Sequence, residues 1–288
     1  MKLTILGGGG VWPTARQACG GYLLEHENCS VLIDPGYGVL PRLLALSDVE
    51  DLDAVIISHG HLDHCADLNP LLRARVLDDL NLDPLPVYAP RGALDQVLEV
   101  DRIKRVATGA GLMPELDDGS VIEIGPFSIE FARLPHHIRT VGMRVSADDH
   151  VVSYPGDSGE CAERVTLAKD ADLLVAEATH ADSVPELDAP YLSSARQVAR
   201  LALEANAHAT VLTHAWPGLS AEHTLAAARS EGLGTARVAL SGMIFEFDSG
   251  RATMPPASPV RAAQARRAAA ERVRPGNVTA LPRRALAV

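Results

Sequence analysis

The stretch Ser58-His59-Gly60-His61-Leu62-Asp63-His64 constrains this chain more than any other. It follows the apolar run Ala54-Val55-Ile56-Ile57 and packs three imidazoles and a carboxylate into the six residues from His59 to His64. A strand that runs into a dense ligand loop is what a metal site needs, because the strand fixes the backbone while the loop turns side chains toward one point. His59 and His61 are two apart, so in an extended segment they face the same side. Asp63 and His64 follow as the chain turns and can point at a second position. Neutral imidazoles with a carboxylate suit a borderline divalent metal, zinc first, with manganese or iron as alternatives. A lone histidine is more often a satisfied polar residue than a ligand; three with an aspartate at these offsets are not explained that way.

The chain has 288 residues, which suits one large domain or two small ones with ample length for a core, and its 47% apolar and 22% charged residues are ordinary for a globular protein. No apolar run is long enough to span a bilayer, and Met1-Lys2-Leu3-Thr4-Ile5-Leu6-Gly7 reads as a first strand rather than a signal peptide. The four cysteines, Cys19, Cys29, Cys65 and Cys161, are scattered without a C-x-x-C pair, which fits a reducing cytoplasm. A formal net charge of −11 argues against a polyanionic partner, so nucleic acid is not expected and a small-molecule substrate is; a homo-oligomer is compatible with the composition.

Short apolar segments alternate with helical patterns along the chain. Thr4–Leu6 precedes Gly7-Gly8-Gly9-Gly10, which lacks the Gly-Lys-Ser/Thr of a phosphate loop. Gly21–Glu25 and Cys29–Ile33 read as an antiparallel pair ended by Asp34-Pro35-Gly36. Helices are expected at Val39–Leu46, Leu68–Leu77, Ala93–Val100, Ser194–Ala205 with Ser193 as its cap, and Ala221–Arg229. Strands are expected at Asp53–Ile57, Pro86–Ala89, Val121–Ile124, Phe127–Arg133, Gly142–Ser146, Val151–Tyr154, Leu173–Ala176, Thr210–Thr213 and within Arg237–Phe247. Two groups of strands interleaved with helices imply an α/β fold of two packed sheets with helices outside, a four-layer αββα sandwich spanning residues 1–250. Residues 251–288 turn rich in Ala, Arg and Pro, with Arg261–Val273 of helical character and flanks of disordered character.

One loop cannot close two coordination spheres, so further ligands must come from distant strand ends. Three candidates follow apolar segments and end in turns: Leu134-Pro135-His136-His137, Tyr154-Pro155-Gly156-Asp157-Ser158-Gly159, and Val211-Leu212-Thr213-His214 with Ala215-Trp216-Pro217-Gly218 beyond. Cys65, beside the loop, is expected to fill a small apolar space. His26, His150, His208 and His223 lie outside these motifs and read as surface residues.

The combination of H-x-H-x-D-H, a later histidine, an aspartate in Gly-Asp-Ser-Gly and a histidine after a buried strand resembles the metallo-β-lactamase fold superfamily, from Met1 to about Asp248. The resemblance implies that His59, His61 and His136 hold a first metal, that Asp63, His64 and His214 hold a second, and that Asp157 bridges them. His136 is preferred over His137 because its spacing to Gly142-Met143-Arg144-Val145 resembles the H-x5-G-x-R pattern of ribonuclease Z-like members. The implied chemistry is hydrolysis by two divalent ions that share a water, with Asp63 both ligating and orienting the nucleophile.

Gly10-Val11-Trp12-Pro13-Thr14, Gly142-Met143-Arg144-Val145 and Glu177-Ala178-Thr179 resemble the phosphodiesterase branch, which includes ribonuclease Z, and the Trp12-Pro13, Gly21-Tyr22-Leu23-Leu24 and Thr213-His214 contexts resemble actinobacterial proteins similar to cyclic-nucleotide phosphodiesterases. That resemblance implies a metal-dependent phosphodiesterase acting on a small phosphodiester such as a cyclic nucleotide. Ribonuclease Z relatives usually carry a long arm that grips transfer RNA, and the sequence between His136 and His214 has no room for one. The branch also places a proton-donating histidine about twenty residues before the last ligand histidine. Here Tyr191-Leu192-Ser193-Ser194 stands instead, which makes Tyr191 the candidate donor and His180 the alternative. A lactone-type ester hydrolase, a ribonuclease Z-like RNA nuclease and a non-catalytic metal-binding protein are the competing readings.

Overall fold

In the computed structural model, which describes residues 1–77, 82–100, 103–248 and 251–253, two mixed sheets face each other. Strands β1 (Lys2–Gly7), β2 (Gly21–His26), β3 (Cys29–Ile33), β4 (Ala54–Ile56), β5 (Leu85–Tyr88) and β6 (Ala110–Leu112) build most of the first. Strands β7 (Val121–Ile124), β8 (Phe127–Leu134), β9 (Thr140–Ala147), β10 (His150–Tyr154), β11 (Leu173–Glu177), β12 (Ala209–Thr213) and β13 (Arg237–Val238) build the second. The chain then returns to the first sheet, where β14 (Ile244–Asp248) pairs with β1 and β15 (Arg251–Thr253) pairs with β14. The final sheet strand therefore extends past residue 250. The helical expectation for Arg261–Val273 lies outside the described residues.

The helices are α1 (Leu40–Leu43), α2 (Leu62–Cys65), α3 (Leu68–Leu77), α4 (Asp95–Glu99) and α5 (Lys104–Ala107) over the first sheet. Over the second lie α6 (Ala162–Ala168), α7 (Ala195–Glu204) and α8 (Ala221–Ser230). Strand periodicity sorts the side chains between layers. Tyr22, Leu24, Val31, Ile33 and Ile56 point inward and meet Phe127, Ile129, Phe131, Val141, Met143 and Val175 in the core between the sheets. Their neighbours Leu23, Leu32, Val55 and Ile57 point outward against Leu43, Leu68, Leu71 and Leu72. In the second sheet, Leu174, Ala176 and Leu212 pack on Val198, Ala199, Leu201, Ala202, Ala227 and Ala228. Strands covered on both faces read as continuous apolar runs, which is why they stand out in the sequence. The four-layer αββα sandwich is the observed architecture.

Several boundaries differ from expectation. The helices expected at Val39–Leu46 and Ala93–Val100 shrink to Leu40–Leu43 and Asp95–Glu99, and α6 is not among the expected helices. Arg237–Phe247 divides between the two sheets. The cap of α7 is Ser194, not Ser193: the Ser194 hydroxyl accepts from the Gln197 N–H, and the Gln197 side chain accepts from the Ser194 N–H at 2.8 Å. Ser193 is buried and otherwise engaged, its hydroxyl donating to the Ser158 carbonyl at 2.8 Å and its N–H to Glu177. Ser194→Ala is accordingly expected to cost about 1 kcal/mol, read as a lower urea midpoint with an unchanged slope; an unaltered midpoint would remove Ser194 as the cap.

Candidate metal centre

The site assembles where strand ends from both sheets meet. His59 follows β4, His136 follows β8, Asp157 follows β10 and His214 follows β12. The loop after β4 stays extended through His61 (φ −68°, ψ 139°), which precedes the first turn of α2. His59 and His61 thus share one side of an extended segment, while Asp63 and His64 sit in a helical turn and aim elsewhere. Backbone crowding fixes this placement. A Cβ on Gly36 would lie 1.8 Å from the Asp63 carbonyl oxygen, so only glycine lets the segment after β3 pass so close behind the loop.

Three groups of donor atoms converge, each within 4.8 Å of one another: His59, His61 and His136; His59, His64 and Asp157; and Asp63, His64 and His214. In the first, His61 Nδ1 lies 3.1 Å from both His59 Nε2 and His136 Nε2. In the last, His214 Nε2 lies 3.1 Å from Asp63 Oδ2 and 3.1 Å from Asp157 Oδ2. Asp157 Oδ2 is also 3.3 Å from His64 Nε2, so this carboxylate stands between the two histidine groups. All seven side chains that sequence reasoning assembles are brought together here.

Hydrogen bonds behind the site decide what each ring offers it. His64 Nδ1 donates to Asp34 Oδ2 at 2.9 Å, and His136 Nδ1 donates to the Tyr191 carbonyl at 2.9 Å. Thr179 Oγ1 gives its own proton to Glu177 Oε2 at 2.7 Å and is left to accept from His214 Nδ1 at 2.9 Å. Ser58 Oγ gives its proton to Asp34 Oδ2 at 2.6 Å and is left to accept from His59 Nδ1 at 3.0 Å. Four rings therefore carry a proton on the outer nitrogen and turn Nε2 inward, the nitrogen whose lone pair a cation would take in place of a second proton.

The residues fit a cation. A proton on His61 Nδ1 could serve only one of the two lone pairs facing it, and His64 Nε2 and Asp157 Oδ1 are buried with no hydrogen-bond partner among the described residues. Electrostatics agree. Burial pushes His59 and His136 toward the neutral form, His136 down to about 4 with Asp157 opposing. Burial acts the same way on His64 and His214, but Asp157 and its fellow carboxylates overcome it and hold both above the ordinary histidine value. Asp63 and Asp157 stay below the carboxylate range despite burial, held there by His214 and His64. The carboxylate side of the pocket calls for positive charge, which a divalent ion supplies in place of protons.

The remaining candidates fall into place around this centre. His137 turns away from it, 3.6 Å from Asp188, while His136 turns in. The Tyr191 ring packs on His137 with centroids 4.5 Å apart, and its carbonyl orients His136. His180 is half-buried and lies parallel to Trp216. Cys65 is buried, its thiol donating to the His61 carbonyl at 3.4 Å. His208 and His223 are exposed, but His26 and His150 are not open surface residues: His26 pairs with Asp148 at 2.8 Å and His150 packs against Phe247.

Sequence reasoning misses Asp34. It is fully buried in a left-handed conformation (φ 49°) and accepts from Ser58 N at 2.7 Å, Ser58 Oγ at 2.6 Å, Tyr154 Oη at 2.7 Å and His64 Nδ1 at 2.9 Å. Its signal in the sequence is an aspartate closing an apolar strand, which reads as a turn. Glu177 enters the sequence reading only through a resemblance; burial, with Asp157 nearby, raises its carboxyl to about 7, and it accepts from Thr179 and Ser193.

Residues 30–215 match the family model described as a β-lactamase superfamily domain. The chain is 31% identical over 250 residues to YhfI of Bacillus subtilis, covering 85% of this chain and all of that one. The crystal structure of YhfI, a metallo-β-lactamase fold protein, superposes with a TM-score of 0.76 over 85% of this chain and 98% of the other, at 28% identity. Ribonuclease Z of Mycolicibacterium gilvum is 29% identical over 244 residues, 76% of this chain and 85% of its own. The short form of human tRNase Z shares the fold at 22% identity, with a TM-score of 0.68 over 86% of this chain and all of that one.

Proposed function

The chain belongs to the β-lactamase superfamily and is a metal-dependent hydrolase, and from that premise we propose that it is a di-metal phosphodiesterase acting on a small phosphodiester such as a cyclic nucleotide. In this reading His59, His61 and His136 would hold one divalent ion and Asp63, His64 and His214 the other, with Asp157 within reach of both groups. The observation that carries it is the inward set of Nε2 atoms, each ring oriented by a partner behind it, around His64 Nε2 and Asp157 Oδ1, which are buried without a hydrogen-bond partner among the described residues. Nitrogen and carboxylate donors of this kind favour zinc.

When bound, two such ions supply the positive charge that acidifies a water and polarises a phosphoryl oxygen. The chain's own residues do the rest. Asp63 accepts the water's proton, its Oδ2 held in place by the Val11 N–H at 2.8 Å. Asp34, Ser58, Thr179 and the Tyr191 carbonyl keep the four histidines in the ligating tautomer. The Tyr191 hydroxyl protonates the leaving oxygen. We assign the enzyme to the cytoplasm, a reading supported by four cysteines that all stand as free thiols. Among the described residues no helix is long and apolar enough to cross a membrane.

A second reading, an RNA nuclease, is favoured by the relatives named ribonuclease Z; the net charge of −11 weighs against it. Purified protein should be assayed for bound metal and for turnover of bis-p-nitrophenyl phosphate, cyclic AMP, a lactone and a 3′-extended transfer RNA precursor. Two metals per chain and turnover of the first two substrates are expected. Turnover of the lactone or the RNA alone would replace the leading reading. Tyr191→Phe is expected to slow cyclic AMP about 100-fold while sparing the activated p-nitrophenyl diester, whose leaving group needs no proton. Equal effects on both substrates would remove Tyr191 as the donor.

A further inference from the structure

We propose that Trp12 and Trp216, with His180 beside them, form a wall on which a flat ring of the substrate stacks. The phosphodiester that the site accepts then carries an aromatic or heteroaromatic ring, a nucleobase being the obvious instance, on one ester arm. This rests on the phosphodiesterase reading above and adds the chemical class of the substrate.

The chain is poor in aromatics, 4% of its residues, and has only two tryptophans. Both are open to solvent, 46% for Trp12 and 43% for Trp216, although indole is among the most costly surfaces to leave wet. They are far apart in sequence yet meet edge to face, with centroids 5.4 Å apart and planes at 81°. His180 lies parallel to Trp216, 6.3 Å away with an interplanar angle of 20°. An open aromatic corner of this kind offers one face for stacking and one edge for lateral contact.

The corner is built into the metal centre rather than lying near it by chance. Trp12 follows Val11, whose N–H donates to Asp63 Oδ2 at 2.8 Å. Trp216 lies two residues after His214 and donates its backbone N–H to the carbonyl of Thr179, the residue that accepts from His214 Nδ1. The two segments are joined by the Gly10 N–H, which donates to the Ala215 carbonyl at 3.1 Å. A Cβ on Gly10 would lie 2.7 Å from His214 Nδ1, so the Trp12 segment runs directly over that ring.

Both segments also hold strain where they turn. Val11 (φ 60°) and His214 (φ 54°) are left-handed, a conformation unfavourable for any residue with a Cβ and most so for a β-branched one. Each of these two residues touches Asp63 Oδ2, and each launches one of the tryptophans. Strain at such a pair of turns is retained where the surrounding structure needs the next residues in a set place, and here those residues carry the two indoles of the corner.

The test is a binding measurement on the zinc-loaded full chain, using intrinsic tryptophan emission and calorimetry. Adenosine 5′-monophosphate and ribose 5-phosphate present the same phosphate with and without a base. The base-bearing ligand should bind about tenfold more tightly, the range expected of one stacked base, and should alter tryptophan emission. Trp216→Ala should bring the two ligands within about twofold of each other, followed through Trp12, while Trp216→Phe should keep most of the preference. Equal affinities in the unaltered protein, or a preference untouched by both Trp12→Ala and Trp216→Ala, would overturn the wall. A chain that hydrolyses bis-p-nitrophenyl phosphate but binds the two ligands alike loses the wall and keeps the phosphodiesterase reading. One that shows the base preference but turns over no phosphodiester keeps the wall and loses that reading.

Discussion

Asp63→Ala should abolish metal-dependent diester hydrolysis, lowering kcat by about 1,000-fold or more while the protein stays folded. The carboxylate is asked to do two things. Its Oδ2 sits 3.1 Å from His214 Nε2 and 3.7 Å from His64 Nε2, so it completes the donor set on the carboxylate side of the pocket. In the proposed reaction it would also take the proton of the attacking water, and it stays ionised because His214 and His64 outweigh the cost of its burial. Removing it leaves the inward Nε2 atoms of those two histidines with Asp157 as their carboxylate partner and would weaken the hold on one of the proposed ions. The fold should tolerate the change, because the bonds lost are one to the exposed loop at Val11 and one within the site to His214. Asp63→Asn separates the two roles: it preserves shape and one donor oxygen but cannot take a proton. Metal content close to that of the unaltered protein with activity still down would identify proton transfer as the larger role. Unchanged activity in both variants would eliminate Asp63 from the chemistry.

Legibility in the sequence depends on distance along the chain. His59, His61, Asp63 and His64 are neighbours, so strand and turn periodicity alone put them on one site. His136, Asp157 and His214 are reachable because each ends an apolar strand, and such strands of a sandwich carry their carboxyl ends to a common edge. The choice between His136 and His137 comes from a resemblance; in space it is made by the Tyr191 carbonyl, 55 residues away, which captures one ring and leaves the other to Asp188. Asp34 is illegible for the same reason in stronger form. Its partner Ser58 lies 24 residues on, and only the parallel pairing of Ile33 with Ile56 lays the two strand ends side by side. Ser193 and Ser194 look alike as caps until the Ser158 carbonyl and Glu177 claim the first. Short-range order and apolar periodicity are readable; the hydrogen bonds that orient the ligands depend on register and are not.

Asp34 is therefore the position where the structure adds most, and Asp34→Asn should cost the proposed two-metal site one of its ions. The aspartate holds two oxygens against four protons: Oδ1 takes the Ser58 N–H, and Oδ2 takes Ser58 Oγ, Tyr154 Oη and His64 Nδ1. An asparagine has one acceptor oxygen. If that oxygen stays on Ser58 N, its NH2 group faces three donors. The two hydroxyls can rotate to accept, but only at the expense of the bonds they now make. His64 can meet an NH2 group only by moving its proton to Nε2, and that proton then points at the position a cation would fill. Ser58 Oγ, once turned, no longer accepts cleanly from His59 Nδ1, so the disturbance reaches both histidine groups. Metal affinity at the second position should fall 10- to 100-fold, and loss of hydrogen bonds to a buried charged group should cost roughly 1.5–3 kcal/mol of stability. Elemental analysis should find one metal per chain in the variant, with a second restored only by excess zinc, and the thermal midpoint should drop. Two metals retained through dialysis would show that His64 needs no partner behind it to ligate. Tyr154→Phe is the control, because it removes one donor to the same oxygen without touching either histidine. It should lower stability and leave the metal count alone, which separates weakening of the buried network from reversal of the His64 tautomer.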